Sequence, residues 1–142
     1  NLVYNVPTVL KLREAVGGII GLNLDPSHVF FMGGDPIMMA RKLCEEKAVY
    51  HVHGKDSRIN AHIKGLDCYE QGAYNGPAVS RSWNYVAVGY GHDALWWKTF
   101  FAALAEGDYH GPVSIEVEDP LMPNNLVAIQ KSAAFLHETM LK

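Results

Sequence analysis

The chain contains little cysteine and no long apolar run, and these absences exclude several classes of protein. Cys44 and Cys68 are the two cysteines among 142 residues, and they lack the CxxC spacing of a zinc-thiolate site. They are too few for a disulfide framework, so we expect a reducing compartment and a cytoplasmic protein. No apolar run approaches the length that spans a bilayer, and the first residues lack a signal-peptide pattern. We therefore expect no membrane partner.

A strong excess of charge of one sign is also absent. Lysine and arginine number 12 against 15 aspartates and glutamates, which gives a formal net charge of −3. This balance supplies no general attraction to phosphate backbones, so we expect no nucleic-acid partner. Apolar residues make up 49% and charged residues 19% of the chain, which is ordinary for a globular domain. A chain of this length can bury one hydrophobic core.

Helix and strand signals alternate along the sequence. Apolar runs over residues 19–24, 49–53, 84–88 and 113–117 predict four strands. Periodic or capped stretches over residues 6–16, 35–47, 94–106 and 125–141 predict four helices. A strand-to-strand spacing of roughly 30 residues is typical of βα units in a parallel sheet. The polar, glycine-rich stretch over residues 57–82 predicts a long loop, and loops of that length are usually functional or disordered.

Three of the four predicted strands end in side chains that bind metal ions. They are LNLDPSH at residues 22–28, YHVHGKD at residues 50–56 and VSIEVED at residues 113–119. In parallel α/β proteins the carboxyl ends of strands converge on the face that carries the active site. Side-chain alternation puts His51 on the same face as His53, and Glu116 on the same face as Glu118.

Burying imidazoles and carboxylates together is costly unless a cation is present. These segments therefore predict a site for one divalent metal ion. Asp, Glu and His without thiolate suit Mn²⁺, Mg²⁺, Co²⁺, Zn²⁺ or Fe²⁺.

Further polar side chains are candidates for contact with a substrate. Lys55 directly follows the second strand, and Arg58 and Arg81 belong to the long loop. Each of these cations has the charge to bind a hydroxyl, a carboxylate or a phosphate, although an exposed surface cation is the ordinary alternative. His92 follows the third strand in the segment GYGHD and is another candidate. The glycines of that segment do not fit a phosphate fingerprint and predict a tight turn that lets a ligand approach closely.

The segments LNLDPSH, HVHGKD, RSWNYVAVGYGHDALWW and VSIEVEDPL resemble the sugar phosphate isomerase/epimerase family, the xylose-isomerase-like TIM barrels. The resemblance implies an α/β fold that is the C-terminal half, strands 5–8, of a (β/α)8 TIM barrel, with parallel strands and outer helices. A closed barrel needs about 250 residues. We therefore expect residues 1–142 to be a single partial domain whose N-terminal half is absent.

The resemblance also implies a set of site residues. Asp25 matches the metal ligand on strand 5, His53 the ligand on strand 6 and Glu116 the ligand on strand 8. His28 matches a position that contacts substrate. The fourth family ligand, a glutamate on strand 4, is implied to precede these residues. Two neighbours are expected to support the ligands, namely His51 and Glu118.

The implied activity is that of a divalent-metal-dependent isomerase or epimerase acting on a sugar or sugar-like carbonyl compound. The proton would move through a metal-stabilised enediolate, with Glu116 as one of two catalytic carboxylates. Two alternatives are an endonuclease-IV-like metal-dependent DNA repair enzyme and a non-catalytic carbohydrate-binding half-barrel. The open sheet edges of a half-barrel predict either a homo-oligomer or contact with the missing N-terminal half.

Overall fold

The computed structural model describes residues 2–69 and 76–140, in which helices alternate with short strands. The helices are α1 (Val6–Ala15), α2 (Pro26–Phe31), α3 (Pro36–Glu45), α4 (Ala61–Asp67), α5 (Ala94–Glu106) and α6 (Asn125–Thr139). The strands are β1 (Leu22–Leu24), β2 (Val49–Gly54), β3 (Asp56–Ile59), β4 (Trp83–Val86) and β5 (Val113–Ile115). A short 3₁₀ turn at Ala78–Ser80 precedes β4.

The main sheet has three parallel strands in the order β1-β2-β5. Leu24 of β1 pairs with Val52 of β2, and Val52 also pairs with Val113 of β5. Because all three strands run the same way, their carboxyl ends meet at one edge. A parallel sheet with packed helices fits a fragment of a TIM barrel.

The strand predicted over residues 84–88 does not join this parallel sheet, and that part of the prediction is wrong. It is observed as β4, which pairs antiparallel with β3 in a separate two-stranded sheet. The chain turns at Lys55 directly after β2 and enters β3, and β5 occupies the free side of β2. The predicted long loop therefore contains β3, α4 and the 3₁₀ turn, while residues 70–75 of it lie outside the described residues.

Local sequence signals explain where the helices begin. Asn5 and Thr8 form a reciprocal capping box at the start of α1, and the Asp35 side chain caps α3 beside Pro36. The Asp93 side chain accepts from the backbone of Trp96 at the start of α5. The predicted helices over residues 6–16, 35–47, 94–106 and 125–141 are confirmed to within two residues at each end.

The hydrophobic core lies between the parallel sheet and its helices. Trp97 and Phe100 of α5 are fully buried beside Leu43 of α3, and Val52 of β2 belongs to the same cluster. Packing of α3 on α5 closes this side of the molecule. In the described ranges, none of the helices combines the length and apolar character needed to cross a membrane.

Candidate metal centre

Asp25 ends β1 and begins α2, and these two positions give its carboxylate two separate roles. As the N-cap of α2, its Oδ1 accepts hydrogen bonds from the Ser27 backbone N–H at 2.9 Å and the Ser27 hydroxyl at 2.6 Å. Pro26 at the first helical position favours this turn. The second oxygen, Oδ2, faces the end of β2 and approaches the imidazole of His53. Capping therefore fixes the carboxylate while leaving one oxygen for the site.

Three side chains from three parallel strands converge at the carboxyl edge of the sheet. His53 Nδ1 lies 3.3 Å from Asp25 Oδ2 and 2.7 Å from Glu116 Oε2. One ligand atom from each residue lies within 4.8 Å of the other two. The neighbouring strands β1, β2 and β5 supply one residue each, at or just beyond the strand end. We call Asp25, His53 and Glu116 the triad.

The spacing and chemistry of the triad fit one divalent metal ion. Metal–ligand bonds of about 2.1 Å at right angles place neighbouring ligand atoms about 3 Å apart. The separations of 2.7 and 3.3 Å around His53 Nδ1 are close to that value. Two carboxylates and one imidazole without thiolate suit Mn²⁺, Mg²⁺, Co²⁺ or Zn²⁺. Asp25, His53 and Glu116 would hold the ion.

Lys55 lies next to the triad although its side chain is only 2% exposed. Its Nζ donates to Glu116 Oε1 at 2.9 Å and to Glu118 Oε1 at 2.8 Å. The ammonium also lies 4.2 Å from the centre of the Tyr85 ring. Two carboxylates and an aromatic face therefore compensate this buried charge, and Lys55 orients Glu116 so that Oε2 faces His53.

The same contacts shift the acid–base behaviour of both partners. The hydrogen bond and charge of Lys55 hold the pKa of Glu116 below its usual range, although partial burial opposes the shift. Burial is the largest single influence on Lys55 and lowers its pKa. The hydrogen bonds that Lys55 donates to Glu118 and Glu116 outweigh burial, so the pKa of Lys55 lies above its usual value. Glu116 is consequently an ionised carboxylate and Lys55 an ammonium near neutral pH.

His28 projects from the first turn of α2 beside the triad. Its Nε2 lies 3.6 Å from Asp25 Oδ2, and its Nδ1 lies 3.0 Å from the hydroxyl of Tyr85. With a side chain 44% exposed, His28 has one side open to an incoming molecule. Sequence reasoning missed Tyr85, although β-strand alternation with Trp83 gave a signal that both rings share one face.

Two side chains support the imidazole pair on β2. The amide of Asn23 lies 2.9 Å from His53 Nε2, the ring nitrogen that points away from the triad. His51 Nε2 lies 2.9 Å from the Ser114 hydroxyl, so His51 contacts β5. Asn23 was also missed, but its position two residues before Asp25 puts both on one face of β1.

His92 lies among other residues and contacts no triad member in the described ranges. Its Nδ1 lies 2.7 Å from Asp56 Oδ1, and its ring stacks on Phe30 at a centroid distance of 3.7 Å. Asp56 is fully buried, and its Oδ2 accepts from the backbone N–H groups of Gly89, Gly91 and His92 at 3.0 to 3.1 Å. A Cβ at Gly91 would collide with the Ser57 backbone. The sequence predicted that a ligand approaches this turn closely. The segment that approaches it is instead β3 of the same chain.

The two predicted arginines lie outside the triad. Arg58 is exposed on β3 opposite Asn84 of β4. Arg81 Nε and Nη2 donate to the carbonyl of Gly76 at 3.2 and 2.9 Å. Arg81 also lines a cleft that includes Glu118. The structure therefore brings Asp25, His28, His53, Lys55 and Glu116 together, leaves Arg81 at the side of this group, and separates Arg58 and His92 from it.

Comparisons with known proteins identify a matching family and two related proteins. The profile of the xylose isomerase-like TIM barrel family matches residues 1–139. The chain is 46% identical over 140 residues, 98% of its length, to the uncharacterized protein YfiH of Bacillus subtilis (strain 168). It is 28% identical over 145 residues, 96% of its length, to the inosose dehydratase of Clostridium tetani (strain Massachusetts / E88). The matches cover 44% of each relative, so the chain spans less than half the length of these two curated proteins.

The family profile covers nearly the whole chain, including the three strand ends that carry the triad. Parallel strands that alternate with helices agree with that fold, although the strand at Trp83–Val86 lies outside the parallel sheet. The chain belongs to the xylose isomerase-like TIM barrel family.

Proposed function

We propose that this chain carries the metal-binding and proton-transfer residues of a divalent-metal-dependent isomerase or epimerase that acts on a sugar or sugar-like carbonyl compound. The observation that carries the proposal is the convergence of Asp25, His53 and Glu116 within 4.8 Å at the ends of three parallel strands. Membership of the xylose isomerase-like family supports it.

The triad residues have distinct chemical roles in this proposal. A bound divalent ion would supply polarisation of the substrate carbonyl, which acidifies the neighbouring C–H group. Glu116 would take that proton, because Lys55 keeps it ionised and orients it. His28 would hold a substrate hydroxyl from its exposed side. Returning the proton to the neighbouring carbon gives isomerisation, and returning it to the opposite face of the same carbon gives epimerisation.

The name of the Clostridium relative favours a second reaction class, the loss of water. Removal of the proton next to a carbonyl is also the first step of such a dehydration. Hydroxide then leaves from the next carbon, takes up a proton as water, and a carbon–carbon double bond conjugated to the carbonyl remains. The product separates the two reactions, because dehydration lowers the mass by one water and isomerisation leaves the mass unchanged.

Metal binding provides the first test. Isothermal titration with Mn²⁺ is expected to give one ion per chain, and Asp25→Asn and Glu116→Gln are each expected to abolish that binding. Glu106→Gln is the matched control, because Glu106 is an exposed carboxylate at the end of α5 whose partner is Arg41. Binding that survives both triad substitutions would refute the proposed metal site.

Proton transfer provides the second test. With Mn²⁺ present, the protein is expected to exchange the C–H proton next to the carbonyl of D-fructose for solvent deuterium, as followed by ¹H NMR. Glu116→Gln should stop this exchange and Glu106→Gln should not. Binding of three zinc ions with cleavage of DNA at abasic sites would instead favour the endonuclease alternative. Metal binding without exchange or cleavage would favour a non-catalytic role.

A further inference from the structure

A cavity opens beside the triad, between β4 and the segment that follows β5. Its volume is about 370 Å³. We call it the side cleft. It is lined by aromatic, amide and charged side chains, chiefly Arg81, Trp83, Asn84, Tyr85, Glu118 and Asn125. This mixture of ring faces and hydrogen-bonding groups is typical of small-ligand sites.

Tyr85 and Glu118 connect the side cleft to the triad. The Tyr85 hydroxyl lies 3.0 Å from His28 Nδ1, and His28 approaches Asp25. Lys55 lies over the Tyr85 ring and bonds to Glu118, while its second hydrogen bond reaches Glu116. The side cleft therefore adjoins the triad across the Tyr85 ring and the Glu118 carboxylate.

One wall of the side cleft is aromatic. Trp83 stacks on Phe31 with ring centroids 3.9 Å apart and an angle of 5° between the planes. The Tyr85 ring packs edge to face against Trp83 at 5.1 Å. Stacking on Phe31 holds the indole in a fixed orientation. The flat C–H face of a sugar or a polyol suits such a preformed ring surface.

The charges around the side cleft disfavour an anionic group. Glu118 is about half exposed there, and its partner Lys55 is already shared between two carboxylates. Asp119 is buried and accepts from the backbone N–H groups of Ala87 and Leu121. Arg81 binds the carbonyl of Gly76 through two of its nitrogens. A phosphate in the side cleft would therefore meet two carboxylates, while the lining cation Arg81 is held against the Gly76 carbonyl.

An unpaired amide oxygen favours a hydroxyl-bearing ligand. Asn84 is 6% exposed, and its Nδ2 donates to the carbonyl of Ala78 at 2.8 Å. Within the described part of the chain, its Oδ1 has no hydrogen-bond partner. An unsatisfied buried acceptor is costly, and a donated hydroxyl hydrogen bond removes that cost.

We propose that the side cleft binds an uncharged polyol segment, the part of the substrate that lies away from its reacting carbonyl, and that the cleft excludes phosphate. This rests on the proposed function, since the triad holds the reacting end. The ring wall recognises the C–H face, Asn84 and Asn125 bind hydroxyls, and Glu118 repels anions. The substrate class is therefore a sugar or polyol that is unphosphorylated at this end.

Binding to metal-free protein tests this inference separately from metal binding and turnover. In EDTA, titration calorimetry is expected to detect binding of D-fructose. The affinity for D-fructose 6-phosphate should be at least about tenfold lower. Trp83→Ala should weaken D-fructose binding about tenfold, and Trp83→Phe should retain it within about threefold. Trp96→Phe is the matched control, because Trp96 packs on Phe30 and Phe100, away from the side cleft.

Glu118→Gln supplies a second variant at a half-exposed position, where folding is expected to tolerate the change. This substitution should narrow the difference in binding affinity between D-fructose and D-fructose 6-phosphate. The inference would be overturned if the unsubstituted protein bound D-fructose 6-phosphate as tightly as D-fructose, or more tightly. It would also be overturned if Trp83→Ala left the affinity for D-fructose unchanged. Loss of Mn²⁺ binding or proton exchange with the D-fructose preference intact would instead count against the proposed function alone.

Discussion

Asn23 controls which nitrogen of His53 faces the triad. The Asn23 amide lies 2.9 Å from His53 Nε2, and Nδ1 is then directed toward Asp25 and Glu116. The amide nitrogen Nδ2 faces Nε2, and turning the amide over presents Oδ1 as the acceptor for a protonated Nε2 when Nδ1 is required as a ligand. Partners of this kind fix the ring orientation of metal-binding histidines.

Replacing that amide is expected to weaken metal binding without unfolding the protein. Asn23→Leu should lower Mn²⁺ affinity about 10- to 100-fold, because the His53 ring loses its orienting hydrogen bond. Titration calorimetry at fixed pH measures the change. Asn23→Asp retains an acceptor and should bind at least as tightly as the unsubstituted chain. The control is Gln130→Leu, which removes an exposed amide from α6. An Asn23→Leu variant with unchanged affinity would show that the contact has no positioning role.

Lys55 keeps Glu116 ionised into the acid range. Its hydrogen bond lowers the pKa of Glu116, so the stabilisation from ionised Glu116 is complete above the ordinary carboxylate range. It is lost only as the pH falls through the lowered pKa. Lys55→Met removes the hydrogen bond and the charge, so the Glu116 carboxylate should titrate at higher pH.

The ¹³C chemical shift of the Glu116 carboxylate, followed by NMR across the acid range in metal-free protein, checks this prediction. Lys42→Met is the matched control, because Lys42 pairs with Glu45 and Glu46 on the exposed side of α3. The control should leave the Glu116 titration unchanged. A Glu116 titration that stays in place in Lys55→Met would mean that Lys55 does not govern Glu116.

At the scale of elements, Asp56 joins the start of β3 to the turn before α5. Its carboxylate accepts from three backbone N–H groups of residues 89–92, from the His92 ring and from the Trp97 indole. The carboxylate is fully buried, so water is not available to accept hydrogen bonds from these donors if the carboxylate is lost. Asp56 therefore holds β3, the turn and α5 together beside the site.

Asp56→Asn is expected to destabilise the fold by at least about 2 kcal/mol, because an N–H₂ group would face donors that need an acceptor. Urea unfolding measures the change in the free energy of unfolding, and hydrogen exchange should show faster exchange at Gly89 and Gly91. Asp93→Asn is the control, since Asp93 is exposed and asparagine also caps helices. Similar stability losses in both variants would contradict a special role for Asp56.

The elements that the sequence predicted well are those with strong local signals. Helices α3 and α5 begin at an aspartate cap and carry apolar residues on one face, so their starts at Pro36 and Ala94 follow from neighbouring residues. β2 and β5 are short apolar runs. Parallel pairing then brings together the three strand ends that carry Asp25, His53 and Glu116.

The elements that the sequence missed depend on distant partners. β3 reads Asp-Ser-Arg-Ile and has no apolar alternation, and its partner Trp83–Val86 lies about 25 residues away. The role of Asp56 is likewise invisible locally, because its donors follow more than 30 residues later. His92 and His53 are both histidines that follow or end a predicted strand, so the sequence does not distinguish them. In the folded chain, the His92 ring pairs with Asp56 and the His53 ring belongs to the triad.

At the scale of the whole molecule, the three-stranded sheet has two unpaired edges, β1 and β5, among the described residues. Open edges of this kind favour pairing with another strand. Ile19, which lies three residues before β1, is an apolar side chain that is 80% exposed. The two relatives are more than twice as long as the region that this chain matches.

The 142-residue chain by itself is therefore expected to associate with a second copy through the β1 edge. Sedimentation at increasing concentration should show a shift from monomer to dimer. Ile19→Lys should weaken this association about tenfold, because it removes an apolar contact and places a charge at the edge. Leu126→Lys is the control, since Leu126 is 64% exposed on α6. A well-folded monomer at every concentration would show that this edge needs no partner.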